Sequence, residues 1–166
     1  FCRMNNIDIQ KGIVDALFSE LDSLDAPGLG KRISSLMDEQ PHLMGFLFNL
    51  DDDFSEDEHT FILKSAIVIR DVFISAGIPL DVIENASIEQ IVEDRVELYN
   101  RLEGEERSDA ETWELEAFSP VLFSFVTNQN KDLGLQNQQQ ALIVDVIIGL
   151  YEEAAASQEH KNDKNA

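Results

Sequence analysis

One apolar stretch, residues 60–76 (TFILKSAIVIRDVFISA), constrains the fold more than any other feature of the sequence. At roughly 100° per residue, its polar side chains fall on one narrow stripe of a helix, and apolar side chains cover most of the remaining circumference. The stretch is also longer than a typical strand of about 4 to 8 residues. The pattern therefore predicts a helix that is buried on nearly every side, with the rest of the chain packed around it.

The ends of this helix are marked by local signals. Ser55 followed by Glu58 is the pattern of a capping box, in which each residue satisfies the other's backbone N–H group. Gly77 and Pro79 provide stop signals at the other end. We therefore predict a helix over residues 55–76.

Weaker patterns predict the other amphipathic helices. The signals used are apolar residues at three- and four-residue spacing, proline starts, and the capping boxes Ser87 with Gln90 and Ser108 with Glu111. The stretch 26–30 (APGLG) is interpreted as a turn between the first two helices. The predicted helices cover residues 6–24, 31–39, 41–50, 87–103 and 108–118, with a further one from residue 120.

A second apolar run, residues 138–155, is expected to lie beside the first at the centre of the protein. The chain is long enough for one core, so we predict a single all-α domain over residues 1–155. Its expected architecture is an irregular bundle of about seven or eight helices. The polar segment 156–166 is expected to be a disordered tail.

The sequence contains the pattern of an internal repeat with an offset of 79. Pro41 and Pro120 each precede a helix with apolar residues at matching positions. These positions pair Leu43 with Leu122, Phe46 with Phe125, and Leu47 with Val126. The units would cover residues 31–77 and 109–155. Helices share apolar patterns by chance, so duplication and coincidence both stay open.

The charge balance limits the classes of partner. Thirty-three acidic residues against twelve Lys and Arg give a net charge of −21, which disfavours binding to nucleic acid or to an anionic membrane surface. Lys64, Arg70 and Asp71 interrupt the most apolar run, so it is not expected to span a membrane. The charge is compatible with a basic protein, a cation or an uncharged molecule as the partner. The interpretation we favour for the charge itself is solubility or adaptation to a salty cytosol.

The single cysteine, Cys2, cannot form an internal disulfide, and the sequence shows no leader pattern at its start. We therefore expect a cytoplasmic location. Phe1 to Arg3 precede Met4, which we expect to be the natural start.

Two Glu-x-x-His spacings are the candidate metal ligands: Glu39 with His42, and Glu56 with His59. In helical bundles that hold two iron or manganese ions, this spacing places a carboxylate and an imidazole on one helix face. Pro41 separates the first pair, which favours two different helices and therefore ordinary helix-terminal residues.

Two arginines are expected to point off the polar stripes of their helices and toward the core. A buried guanidinium is costly without a partner, so Arg70 and Arg95 should each meet a carboxylate or a helix end, or reach water. Asp71 and Asp145 are among the partners expected for an internal ion pair. The functional alternative is an anion pocket.

The sequence contains no glycine loop that cradles phosphate, no Gly-x-Ser-x-Gly elbow and no His-Glu-x-x-His motif. We therefore expect a non-enzymatic interaction module that docks a basic partner and needs no cofactor. The alternative hypothesis is a metal-binding helical protein or enzyme that uses Glu39, His42, Glu56 and His59.

Overall fold

The computed structural model describes residues 11–103, 120–129 and 138–164. Within these ranges the chain forms seven α-helices and no strand, which confirms the all-α prediction for this part. The helix predicted at residues 108–118 lies outside the described residues, as do Cys2 and Met4. The helices are α1 (Lys11–Asp22), α2 (Ala26–Glu39), α3 (Pro41–Phe48), α4 (Glu56–Ser75), α5 (Asn85–Glu103), α6 (Pro120–Thr127) and α7 (Gln138–Lys164).

Both ends of α4 form as their sequence signals predict. The Glu58 N–H donates to the Ser55 hydroxyl at 3.2 Å, and the Ser55 N–H donates to the Glu58 carboxylate at 3.1 Å. At the other end, Gly77 adopts a φ of 75°, which lets the Ile78 N–H reach back to the Phe73 carbonyl at 3.1 Å. Glycine is favoured there because a side chain strains this left-handed conformation.

The start of α2 differs from the prediction. The stretch 26–30 is its first turn, not a connecting turn. The Asp25 carboxylate caps the helix by accepting from the Gly28 N–H at 2.8 Å, and Pro27 occupies the first turn, where it needs no hydrogen-bond donor. Proline and glycine therefore begin this helix because an aspartate cap precedes them.

The start of α5 also differs. The helix begins at Asn85, and the Ser87 hydroxyl donates to the Glu153 carboxylate of α7 at 3.0 Å. The capping box expected from Ser87 and Gln90 is therefore wrong, because α5 begins two residues before Ser87, which lies in the first turn of the helix and not at its cap.

Helix α7 continues to Lys164, through most of the segment expected to be a disordered tail. Polarity alone does not end a helix, and residues 154–164 contain no glycine or proline. Alanine, glutamate, glutamine and lysine, which are good helix formers, together occupy seven of these eleven positions.

Helices α4 and α7 share the most extensive contact among the described helices, and α5 also packs closely on α7. Residues 143–152 of α7 are all buried. The rings of Phe73 and Tyr151 lie 5.8 Å apart between α4 and α7. Burial of each large apolar side chain contributes roughly 1.5 to 3 kcal/mol, so this contact is a main source of stability. None of the described helices combines the length and hydrophobicity that crossing a membrane requires.

Candidate functional site

A cavity of about 360 Å³ lies where the loop between α4 and α5 and the start of α5 face α7. This volume falls within the roughly 300 to 1,000 Å³ of ligand pockets, near the lower limit. We call it the acidic cavity. Its lining residues are Asp81, Val82, Ile83, Glu84, Ser87, Leu150, Glu153 and Ala154.

The lining of the acidic cavity combines buried apolar residues with exposed carboxylates. Ile83, Leu150 and Ala154 are buried, whereas Glu84 and Glu153 are exposed. Asp81, which is half-buried, also lines the cavity. The cavity can therefore cover an apolar group while offering the negative charges of Glu84 and Glu153 to a cationic one.

The loop wall of the cavity is held by one buried side chain, Gln40, which is 1% exposed. Its amide nitrogen donates to the Asp81 carbonyl at 2.9 Å, and its amide oxygen accepts from the Ile83 N–H at 2.8 Å. Gln40 is not among the site residues predicted from the sequence. A glutamine before Pro41 shows no local sign of a partner more than forty positions away.

A second hydrogen bond ties the other wall together. The Ser87 hydroxyl on α5 donates to Glu153 on α7, which fixes one carboxylate oxygen at the cavity. His42 lies with its Nε2 atom 3.9 Å from Glu84, but both side chains are exposed. A contact of this kind contributes little, so Glu84 is available to another cation.

The net potential of the acidic cavity is negative. The N-terminus of α5, which begins at Asn85, contributes the equivalent of about half a positive charge. The full negative charges of the exposed Glu84 and Glu153 outweigh it. The site therefore favours a cation over an anion.

A further carboxyl group on α7, Glu152, is 7% exposed, and neither of its oxygens has a hydrogen-bond partner. Burial raises the pKa of Glu152 to about 7, and the nearby Asp145 carboxylate adds to the increase. The sequence analysis had not singled out Glu152, because its neighbour Glu153 is exposed and the two look alike in sequence.

The four predicted metal ligands do not share one set of contacts. The Glu39 carboxylate accepts from the guanidinium of Arg70, at 3.2 Å to Nε and 3.0 Å to Nη2. His59 lies in α4, with its Nε2 atom 2.8 Å from the Leu47 carbonyl oxygen.

His42 is near Glu84, as described above, and Glu56 is exposed in the first turn of α4. Across residues 11–103, 120–129 and 138–164, no group of three or more His, Cys, Asp or Glu side chains is placed to hold a metal ion. The metal assignment stays a prediction.

Arg70 belongs to a charged network between α2 and α4. Its Nη1 atom donates to Asp71 at 2.9 Å, and Arg32 donates to the other Asp71 oxygen at 2.7 Å. Burial alone would lower the pKa of Arg70, but the hydrogen bonds and charges of Glu39 and Asp71 outweigh it and raise the pKa. The guanidinium therefore stays charged and is held by carboxylates.

Arg95 contacts Asp145, one of the two partners named from the sequence. The Nε and Nη2 atoms donate to the same carboxylate oxygen at 2.6 and 2.5 Å. The Asp145 side chain is 0% exposed and that of Arg95 is 11% exposed, so the pair is shielded from water and links α5 to α7.

No protein-family model, curated protein or solved structure matches this chain. A functional proposal therefore depends on the geometry and charge of the described residues.

Proposed function

We propose that this chain is a non-enzymatic interaction module that docks a basic protein partner, and that the acidic cavity is the centre of the docking face. The observation that carries the proposal is the position of two exposed carboxylates, those of Glu84 and Glu153, at one cavity that is also lined by apolar residues. Such a mixed lining suits a cationic side chain.

The net charge of −21 supports the same choice of partner. A strongly negative protein attracts basic surfaces over a range set by the Debye length, about 8 Å at physiological salt, and repels nucleic acid. Complementary charge raises the association rate and rejects partners of the wrong sign. A cytoplasmic location remains our expectation.

A charge that serves only solubility would not depend on where the carboxylates lie. We therefore compare two triple variants with the same net charge. The first is Asp81→Asn, Glu84→Gln, Glu153→Gln at the acidic cavity. The second, the control, replaces the exposed Asp51, Asp52 and Asp53 with asparagine.

Each purified chain is immobilised and used to capture proteins from extracts of its source cells. Docking at the cavity predicts that the cavity variant loses the partner and the control keeps it. Capture should also disappear near 1 M salt, where the Debye length falls to about 3 Å. Equal capture by both variants would contradict the proposed docking face, and equal loss would indicate nonspecific charge attraction.

The alternative function, a metal-binding protein or enzyme that uses Glu39, His42, Glu56 and His59, has less support. Glu39 contacts Arg70, and His59 contacts the Leu47 carbonyl. These contacts favour structural roles for both residues. Elemental analysis of the purified protein tests this alternative directly.

We also propose that the chain contains the internal repeat with an offset of 79. Helices α3 and α6 support it, because each has eight residues and begins at a proline, Pro41 or Pro120. The offset relates α1 to α5, α3 to α6 and α4 to α7. The contact of α1 with α4 has an extent similar to that of its equivalent, α5 with α7, and the contact of α1 with α6 is similar to that of α5 with α3.

One helix pair weighs against the repeat: α6 packs on α7 more extensively than α3 packs on α4. A crystal structure in which residues 41–76 superpose on residues 120–155, with the same crossing angle for α3 on α4 as for α6 on α7, would support duplication. Different crossing angles for these two helix pairs would refute it.

A further inference from the structure

We propose that the acidic cavity receives one arginine side chain of the docked protein, with its methylene stem on the apolar residues and its guanidinium on the carboxylates. This inference rests on the proposed function and names the group that the docking face recognises. It follows from the spacing of the charges, the composition of the lining and the hydrogen bonds that hold the walls.

The spacing of the carboxylates argues against a bare metal ion. Asp81, Glu84 and Glu153 line one cavity, yet within the described part of the chain no three acidic or histidine side chains converge closely enough to ligate one ion. Divalent cations need several oxygen ligands at about 2.0 to 2.6 Å. A larger organic cation can contact carboxylates that lie apart.

The choice of arginine over lysine follows from the same spacing. A guanidinium presents five N–H donors in a planar fork, whereas an ammonium is a compact and strongly hydrated point charge. Separate carboxylates can therefore each accept from one guanidinium. Hydrogen bonds between ionised groups of this kind are about twice as strong as neutral ones.

The apolar part of the lining suits the rest of the side chain. Val82, which is 49% exposed, presents apolar surface in the same cavity as the exposed carboxylates of Glu84 and Glu153. Arginine side chains commonly bury their methylene stems on apolar surface while the charged end stays near water. A volume of about 360 Å³ suits one side chain better than a whole folded element.

The walls of the cavity are held in place before a partner arrives. Gln40 bonds the loop at Asp81 and Ile83, and Ser87 bonds Glu153 across the two helices. A site that is ordered in the free protein loses less conformational entropy on binding. The carboxylates are therefore presented by a fixed frame.

The test is a two-dimensional ¹H–¹⁵N NMR titration of the full chain with an arginine blocked at both ends, Nα-acetyl-arginine N-methylamide. We expect saturable shifts of the backbone amides at residues 81–87 and 150–154, with a dissociation constant on the order of 1 mM. The same derivative of citrulline, which has nearly the same shape and no charge, should not bind. The lysine derivative should bind several-fold more weakly.

Variants locate the effect. Glu84→Gln and Glu153→Gln should each weaken binding of the arginine derivative several-fold. The amide oxygen that Glu153→Gln introduces can still accept from the Ser87 hydroxyl, so the wall of the cavity is kept. The control is Glu97→Gln, which removes an exposed charge elsewhere on α5 and should leave the binding unchanged.

Shifts that map elsewhere, equal binding of the citrulline derivative, or equal weakening in the Glu97→Gln control would overturn the inference. Equal binding of the lysine derivative would overturn the choice of arginine. Partner capture can still depend on the cavity carboxylates in each of these cases, so failure of this inference is distinguishable from failure of the docking proposal.

Discussion

Replacing Gln40 with alanine should destabilise the protein by about 2 to 4 kcal/mol. The substitution leaves the Ile83 N–H and the Asp81 carbonyl without the amide that now pairs with them. A buried group left without a hydrogen bond costs about 1 to 3 kcal/mol. Ile83 is buried and should lose close to the full amount, whereas the half-buried Asp81 can recover part of it from water.

The assay is urea unfolding followed by circular dichroism, in which the slope should stay constant while the midpoint falls. Gln40→Met keeps most of the side-chain volume and removes both hydrogen bonds, so it separates hydrogen bonding from packing. The matched control is Gln139→Ala, the same chemical change at an exposed position of α7, which should change stability by no more than about 0.5 kcal/mol.

The amide of Ile83 provides a local readout. Its hydrogen exchange should accelerate in Gln40→Ala more than exchange of the amides at the centre of α4, because the loop opens separately from the core. The reasoning is refuted if Gln40→Ala is no more destabilising than Gln139→Ala. It is also refuted if Gln40→Met is as stable as the natural chain.

Glu152, the Arg95–Asp145 pair and the predicted metal ligands can each be tested as well. Glu152→Gln should stabilise the protein at pH 8 and have little effect at pH 4. The pKa of the Glu152 carboxyl rises from 4.5 to about 7 on folding. The free energy of unfolding therefore falls as pH increases through that interval, by on the order of 3 kcal/mol. Urea midpoints at both pH values test this, and the same gain at pH 4 would contradict it. Asp145→Ala should destabilise by about 3 to 5 kcal/mol, because it leaves Arg95 buried without its carboxylate; adding Arg95→Met should recover part of the loss in the same unfolding assay, and no recovery would argue against the pair. Protein purified without chelator should contain less than one equivalent of transition metal by elemental analysis. A stoichiometric metal that is lost on His59→Ala would instead support the metal hypothesis.

The features that the sequence predicts well are those decided by neighbouring residues. Ser55 and Glu58 lie within one turn, so their reciprocal caps are visible as a spacing. The direction of Arg95 is similarly fixed by its angle on its own helix, which explains why an internal carboxylate could be named as its partner.

The features that the sequence does not predict depend on distant parts of the chain. Gln40 bonds to a loop more than forty residues away, so no local pattern marks it. Ser87 has the spacing of a cap, but α5 begins two residues earlier, and the Ser87 hydroxyl donates to a carboxylate on α7. The acidic cavity forms where a loop and two helices meet, so the sequence of any one of these segments does not predict it.

The position of α7 along the chain has a consequence for synthesis on the ribosome. α4 ends at Ser75, and the helix that contacts it most extensively begins at Gln138. At about 5 to 20 residues per second, roughly 3 to 13 seconds pass after α4 is made before synthesis of this partner begins. Its apolar surface is exposed to aggregation during that interval. Slow translation between these two helices should therefore lower the yield of soluble protein, and a chaperone that holds nascent apolar helices should restore it.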